Sequence, residues 1–93
     1  MALQARLTIT GRVQGVGYRD WALTTGQRLG LTGWVRNRND GAVEALLVGE
    51  EAAVGEMIVA CRRGPPLARV DGIDVDPVDL DVLPEGFSKL PTT

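Results

Sequence analysis

Gly11-Arg12-Val13-Gln14-Gly15-Val16-Gly17-Tyr18-Arg19 joins an alternating stretch to a helical one. On its N-terminal side, Ala5, Leu7, Ile9, Gly11 and Val13 share one side of an extended chain. Arg6, Thr8, Thr10 and Arg12 share the other. That period of two predicts a half-buried strand over residues 3–13. On its C-terminal side, Tyr18, Trp21, Ala22, Thr25 and Leu29 recur at helical spacing over 18–29. Gly26 weakens that helix by about 1 kcal/mol relative to alanine, and Gly30 stands where a C-cap glycine belongs. Gln14–Gly17 is therefore a glycine-rich turn from strand to helix. Such a turn can converge its N–H groups on phosphate-type oxygens. The helix N-terminus adds positive potential and Arg19 supplies a forked donor.

The remaining chain extends this start. Residues 32–38 and 42–48 read as strands joined through Asn39-Asp40-Gly41, a hairpin signal because Asp-Gly tolerates positive φ. Residues 50–63 read as a second helix with Glu50 and Glu51 in the first turn and Arg62 and Arg63 in the last, as the macrodipole favours. Ala53, Met57, Ala60 and Cys61 form its apolar stripe, widened by Val54 and Ile58, and Gly64-Pro65-Pro66 stops it. Residues 69–78 read as a fourth strand with a bulge around Gly72, and 86–90 as a short last strand. The order β-α-β-β-α-β predicts an α+β, ferredoxin-like split β-α-β sandwich: an antiparallel sheet with two helices on one face. The fold hosts many functions and decides none of them.

At 93 residues the chain is expected to form one domain over 1–93, and 44% hydrophobic content is enough for a core. The start has no signal-peptide core, because Arg6 interrupts it, and no stretch approaches a membrane span. One cysteine, Cys61, forbids an internal disulfide and argues against a structural zinc site. These features predict a cytoplasmic monomer that contacts no membrane. The chain contains no histidine, which removes Ser-His-Asp, Cys-His and His-ligated metal chemistry. Residues 1–41 carry six arginines against two acids; residues 42–93 carry four basic residues against ten acids. An anionic ligand should meet the N-terminal half, while the acidic remainder argues against nucleic-acid binding.

A second cluster, Gly33-Trp34-Val35-Arg36-Asn37 with Asp40-Gly41 after it, accompanies the first. Together the two runs resemble the paired signature motifs of the acylphosphatases, and length and element order fit as well. The resemblance implies hydrolysis of the carboxyl–phosphate anhydride of a small acyl phosphate, with no cofactor and no metal. By that resemblance Arg19 and the backbone N–H groups of Gln14, Gly15, Val16, Gly17 and Tyr18 hold the phosphoryl group. Asn37 orients the attacking water. The residue chemistry agrees. A guanidinium makes two parallel bonds to phosphoryl oxygens. Phosphoryl transfer chiefly needs positioning and charge stabilisation. A carboxylate leaves without a general acid, so the missing histidine is tolerable for this substrate class. Asn37 is no base near neutral pH, but its carbonyl oxygen can fix the direction of a water.

Each residue also has a plainer reading. Arg19 could be a first-turn arginine paired with Asp20 or Asp40. Asn37, on the core-side face of its strand with Val35, could cap the hairpin. Gln14 could act through its N–H or merely shape the loop. Tyr18 is expected as a core ring with its hydroxyl at the rim, and Asp20 as a first-turn helix acid rather than a base. Arg12, Arg36 and Arg38 read as solvated strand-face charges, Trp21 and Trp34 as packing. The rival functions are a phosphate-binding module without turnover and an isolated fragment of a hydrogenase-maturation protein, whose first domain is similar. RNA binding is a third, but it would need exposed aromatics on central strands. Neither a P-loop nor a dinucleotide fingerprint matches the glycines.

Overall fold

The computed structural model describes residues 2–93. Its order is β1 (Ala2–Arg12), α1 (Tyr18–Arg28), β2 (Thr32–Asn37), β3 (Val43–Glu50), α2 (Glu51–Arg63), β4 (Arg69–Pro77) and β5 (Phe87–Lys89). The sheet runs β4-β1-β3-β2-β5. The four long strands pair antiparallel, as the ferredoxin-like reading requires. β5 differs from the expectation of a wholly antiparallel sheet: it pairs parallel to β2 through Gly33↔Phe87 and Val35↔Lys89. The reason is topological. β4 ends at one edge of the sheet, and residues 78–86 carry the chain across to the opposite edge, where it runs alongside β2.

The alternation in β1 is realised. Ala5, Leu7 and Ile9 are buried and join Val35, Val43, Ala45 and Leu47 on one face of the sheet. Tyr18 and Ala22 of α1, and Val54, Met57 and Cys61 of α2, close the same core. Removing such side chains from water drives the packing of both helices onto this face. The opposite face carries a polar cluster. Arg36 donates to Glu44 at 2.7 Å and stacks on Trp34 at 4.6 Å, with Arg6 3.9 Å from Glu44. Arg36 is therefore not the solvated charge expected: its register opposite Glu44 and beside Trp34 half-buries it.

Two glycines are required by close approach. Gly33 has φ 135°, and a Cβ there would run into the Leu46 carbonyl oxygen. Gly11 has φ 121° and faces the Arg69 carbonyl in the same way. It lies where the β1–β4 register shifts, with Thr10 opposite Gly72 and Gly11 opposite Val70. That is the bulge expected near Gly72, with Asp71 as the extra residue. Glu50 ends β3 and caps α2 rather than standing in its first turn. No helix among the described residues is long and apolar enough to cross a membrane.

Candidate active site

β1 delivers the chain into the loop, and α1 leaves it. Val13 and Val16 are buried, and so is Tyr18 at the first helical position, so the loop is pinned to the core at both ends and in the middle. Gly17 occupies the N-cap position with φ 79°, a left-handed conformation that glycine adopts without a Cβ penalty. Gln14 holds the loop from the side: its Nε2 donates to the carbonyls of Arg38 and Ala42, both at 2.8 Å. The loop is thereby tied to the β2–β3 hairpin. The Gln14 side chain serves this tie and does not line the cavity; neither does Val16.

The loop leaves its donors unused. Among the described residues, no backbone N–H from Gln14 to Asp20 donates to a protein acceptor. The first intrahelical bond of α1 is from Trp21 N–H to the Gly17 carbonyl, at 3.1 Å. Orphan N–H groups at a helix start concentrate positive potential where they point.

A cavity of about 210 Å³ opens at this loop. Gly15, Gly17, Tyr18, Arg19 and Asn37 line it, and so do Asp20 and Lys89. At roughly 30 Å³ per water, it has room for a small anion and a water together. The structure thus brings together five of the seven residues singled out in the sequence, from two motifs whose key residues, Arg19 and Asn37, lie eighteen positions apart.

The plainer readings of Arg19 and Asn37 fail on geometry. Asp40 pairs with Arg38 at 2.8 Å and Asp20 with Lys89 at 2.7 Å. Among the described residues no carboxylate stands within ion-pair distance of Arg19; its one contact is a 3.4 Å bond to the Leu90 carbonyl. The hairpin is capped without the Asn37 side chain. Asp40 Oδ1 accepts from Ala42 N–H at 3.1 Å, Arg38 N–H and Gly41 N–H donate to the carbonyls of Ala42 and Arg38, and Gln14 donates to the same two carbonyls. The Asn37 side-chain amide has no protein partner among the described residues, while its backbone carbonyl accepts from Thr93 N–H at 3.1 Å. β3 on one side and the C-terminal segment on the other fix its position.

Tyr18 departs from expectation. Its hydroxyl is not at the rim; it is buried and donates to the Cys61 carbonyl at 2.7 Å. Burial pushes the phenol well above its usual range and lifts the Cys61 thiol to about 11. Trp21 meets the Tyr18 ring edge-on at 5.3 Å, so both aromatics pack rather than face the cavity as stacking surfaces. Asp20 is a first-turn acid, and the Lys89 ammonium holds its carboxyl below the ordinary carboxylate range, with Arg19 adding to the effect.

Lys89 is the residue that the sequence did not point to. It lies 52 positions beyond Asn37 and comes to the cavity only because β5 pairs with β2. Alternation over Gly86–Leu90 could have marked it as a strand residue, but nothing in its neighbours ties that strand to this loop.

Comparison with known proteins places this geometry. A family model described as acylphosphatase matches residues 5–89. An acylphosphatase of Rhodospirillum rubrum is 58% identical over 84 residues, covering 90% of this chain and 91% of that protein. The crystal structure of acylphosphatase from Bacillus subtilis superimposes with a TM-score of 0.90 at 37% identity, over 97% of this chain and 99% of that one. Full-length HypF, in a phosphate- and nucleotide-bound form, contains a region that aligns with 99% of this chain at a TM-score of 0.89 and 26% identity; that region is 12% of HypF. The family model over residues 5–89 and the relative matched along most of both chains set the assignment: this chain belongs to the acylphosphatase family.

Proposed function

We propose that this protein is a working acylphosphatase, with residues 1–93 as one catalytic domain that needs no cofactor. Its substrate is a small acyl phosphate. The backbone N–H groups from Gln14 to Tyr18 and the Arg19 guanidinium hold the phosphoryl oxygens. Asn37 accepts a hydrogen from a water through its side-chain oxygen and aims the lone pair at phosphorus. The water oxygen bonds to phosphorus as the bond to the acyl oxygen breaks. The carboxylate leaves with the electron pair, and the water proton passes to a phosphoryl oxygen. Carboxylate and inorganic phosphate are the products. Charge spread over the phosphoryl oxygens is what preorganised donors stabilise most.

The observation that carries this reading is the unspent bonding capacity around one cavity. Arg19 lacks a carboxylate partner although Asp20 is its chain neighbour, and Asn37 lacks a protein partner for its amide. Both side chains reach solvent in the cavity, with no buried polar side-chain atom left unpaired among the described residues, so their bonding capacity is open to a ligand that replaces water there.

The test is hydrolysis of an aryl acyl phosphate by the purified protein, with and without a chelator. Turnover insensitive to chelator and competitively inhibited by inorganic phosphate is expected. Arg19→Ala should lower kcat/KM by about 10²–10³-fold, the range for loss of one strong transition-state donor. Asn37→Ala should lower kcat about 10²-fold with a smaller change in KM, as misplaced reactants do. A folded protein that binds phosphate without turnover would be a binding module. An Asn37→Ala variant as fast as the parent would overturn the water-positioning role.

A further inference from the structure

We propose that Lys89 is a positioning residue for this anion site: by pairing with Asp20 it keeps that carboxylate off Arg19. The inference rests on the reading of the cavity as an acyl-phosphate site. Asp20 is, among the described residues, the only carboxylate lining the cavity. It stands there under two opposed demands. In the first turn of α1 a negative charge complements the macrodipole. At a site for a phosphoryl group the same charge repels the ligand and offers Arg19, its chain neighbour, an internal partner. An internal carboxylate is always present, so it would compete with substrate for the guanidinium fork.

Lys89 resolves the conflict. Its Nζ lies 2.7 Å from Asp20 Oδ1, delivered from β5, which pairs with β2. The pair is partly exposed, with the Lys89 side chain at 41% and that of Asp20 at 73%. It therefore contributes little to stability, as exposed pairs do. Its consequence lies in what it leaves open. With Asp20 engaged, the Arg19 guanidinium keeps only the 3.4 Å contact to the Leu90 carbonyl. The depression of the Asp20 carboxyl by Lys89 first, and by Arg19 behind it, agrees with a carboxylate that has both cations in reach.

The experiment compares Lys89→Met, Lys89→Arg, Asp20→Asn and the double variant Asp20→Asn/Lys89→Met with the parent. Two readouts are taken: the Kd of inorganic phosphate by calorimetry, and the KM and kcat for an aryl acyl phosphate. Lys89→Met should raise phosphate Kd and KM together, by about three- to tenfold at low salt, with kcat changed less than twofold; the loss should shrink as salt screens the carboxylate. Lys89→Arg should restore binding. Asp20→Asn should rescue the Lys89→Met defect in the double variant, which a merely structural role for Lys89 would not produce. Unchanged phosphate affinity in Lys89→Met overturns the proposal. So does a defect that Asp20→Asn fails to rescue, since Lys89 would then contact the anion itself. If the parent binds phosphate without turnover, the proposed activity fails while the calorimetric comparison still decides the role of Lys89. A folded parent that binds no phosphate overturns both.

Discussion

Arg19 and Tyr18 are neighbours with opposite fates. Both stand at the start of α1 and line the cavity, but Tyr18 is buried in the core while Arg19 stays half-buried. The Tyr18 hydroxyl reaches the carbonyl of Cys61 in the last turn of α2. The last four carbonyls of a helix have no intrahelical donor, so a phenol from the site helix satisfies one of them. Tyr18→Phe would strand that carbonyl in the interior at a cost of about 1–2 kcal/mol. Urea unfolding of Tyr18→Phe at neutral pH measures this, and parental stability would show that the bond contributes nothing net. The hydroxyl was expected at the rim because a tyrosine in a helical stripe usually keeps its polar end wet. Its true partner is 43 residues away, and no local pattern names it.

β2 and α1 show why glycines of two kinds resist substitution. Gly26 was read from sequence as a weak point in its helix. In the fold a Cβ there would stand 3.0 Å from the Phe87 ring, so the glycine gives β5 room to dock. Gly33 is the sharper case, since both its φ of 135° and the Leu46 carbonyl exclude a side chain. Gly33→Ala should destabilise the protein by about 3 kcal/mol or more, from backbone strain and clash together. It should also lower activity through displacement of β2 and Asn37. A thermal melt of Gly33→Ala within 2 °C of the parent would contradict this. Gln14 also orders the loop, because its amide bonds the hairpin at two carbonyls. That tie links the loop of the first motif to the hairpin that follows the second.

The assembled protein buries two titratable groups that its site does not use. Cys61 is fully buried and lifted to about 11, and Tyr18 is raised as well, in both cases mainly by desolvation. A raised pKa means that the folded state keeps its proton where the unfolded chain has lost it. The unfolded thiol ionises near 9.0. The stability linked to it is full below pH 9 and is lost as pH rises toward about 11. Urea midpoints should therefore fall across pH 9–11, and Cys61 should resist thiol reagents at neutral pH until the protein unfolds. A flat stability profile in that range, or rapid labelling of the native protein, would contradict the burial of this side chain.

Periodicity and punctuation carried much of this fold, because each local signal had one physical meaning. The alternation of Ala5, Leu7 and Ile9, the helical stripe from Tyr18, the Asp40-Gly41 hairpin and the Gly64-Pro65-Pro66 stop depend only on backbone geometry and on which face leaves water. Arg19 and Asn37 stood out as a forked cation after a glycine-rich loop and a polar residue on the core side of a strand, but their expected roles came from the resemblance of the two motifs to those of the acylphosphatases. What sequence could not supply was partnership between distant residues. The parallel docking of β5 depends on where residues 78–86 cross the molecule, and it alone brings Lys89 to Asp20 and the Leu90 carbonyl to Arg19. The Gln14 clamp and the buried Tyr18 hydroxyl follow the same rule. Side-chain hydrogen bonds form with whatever group the packed elements bring within about 3 Å, and that choice is made only when the elements meet.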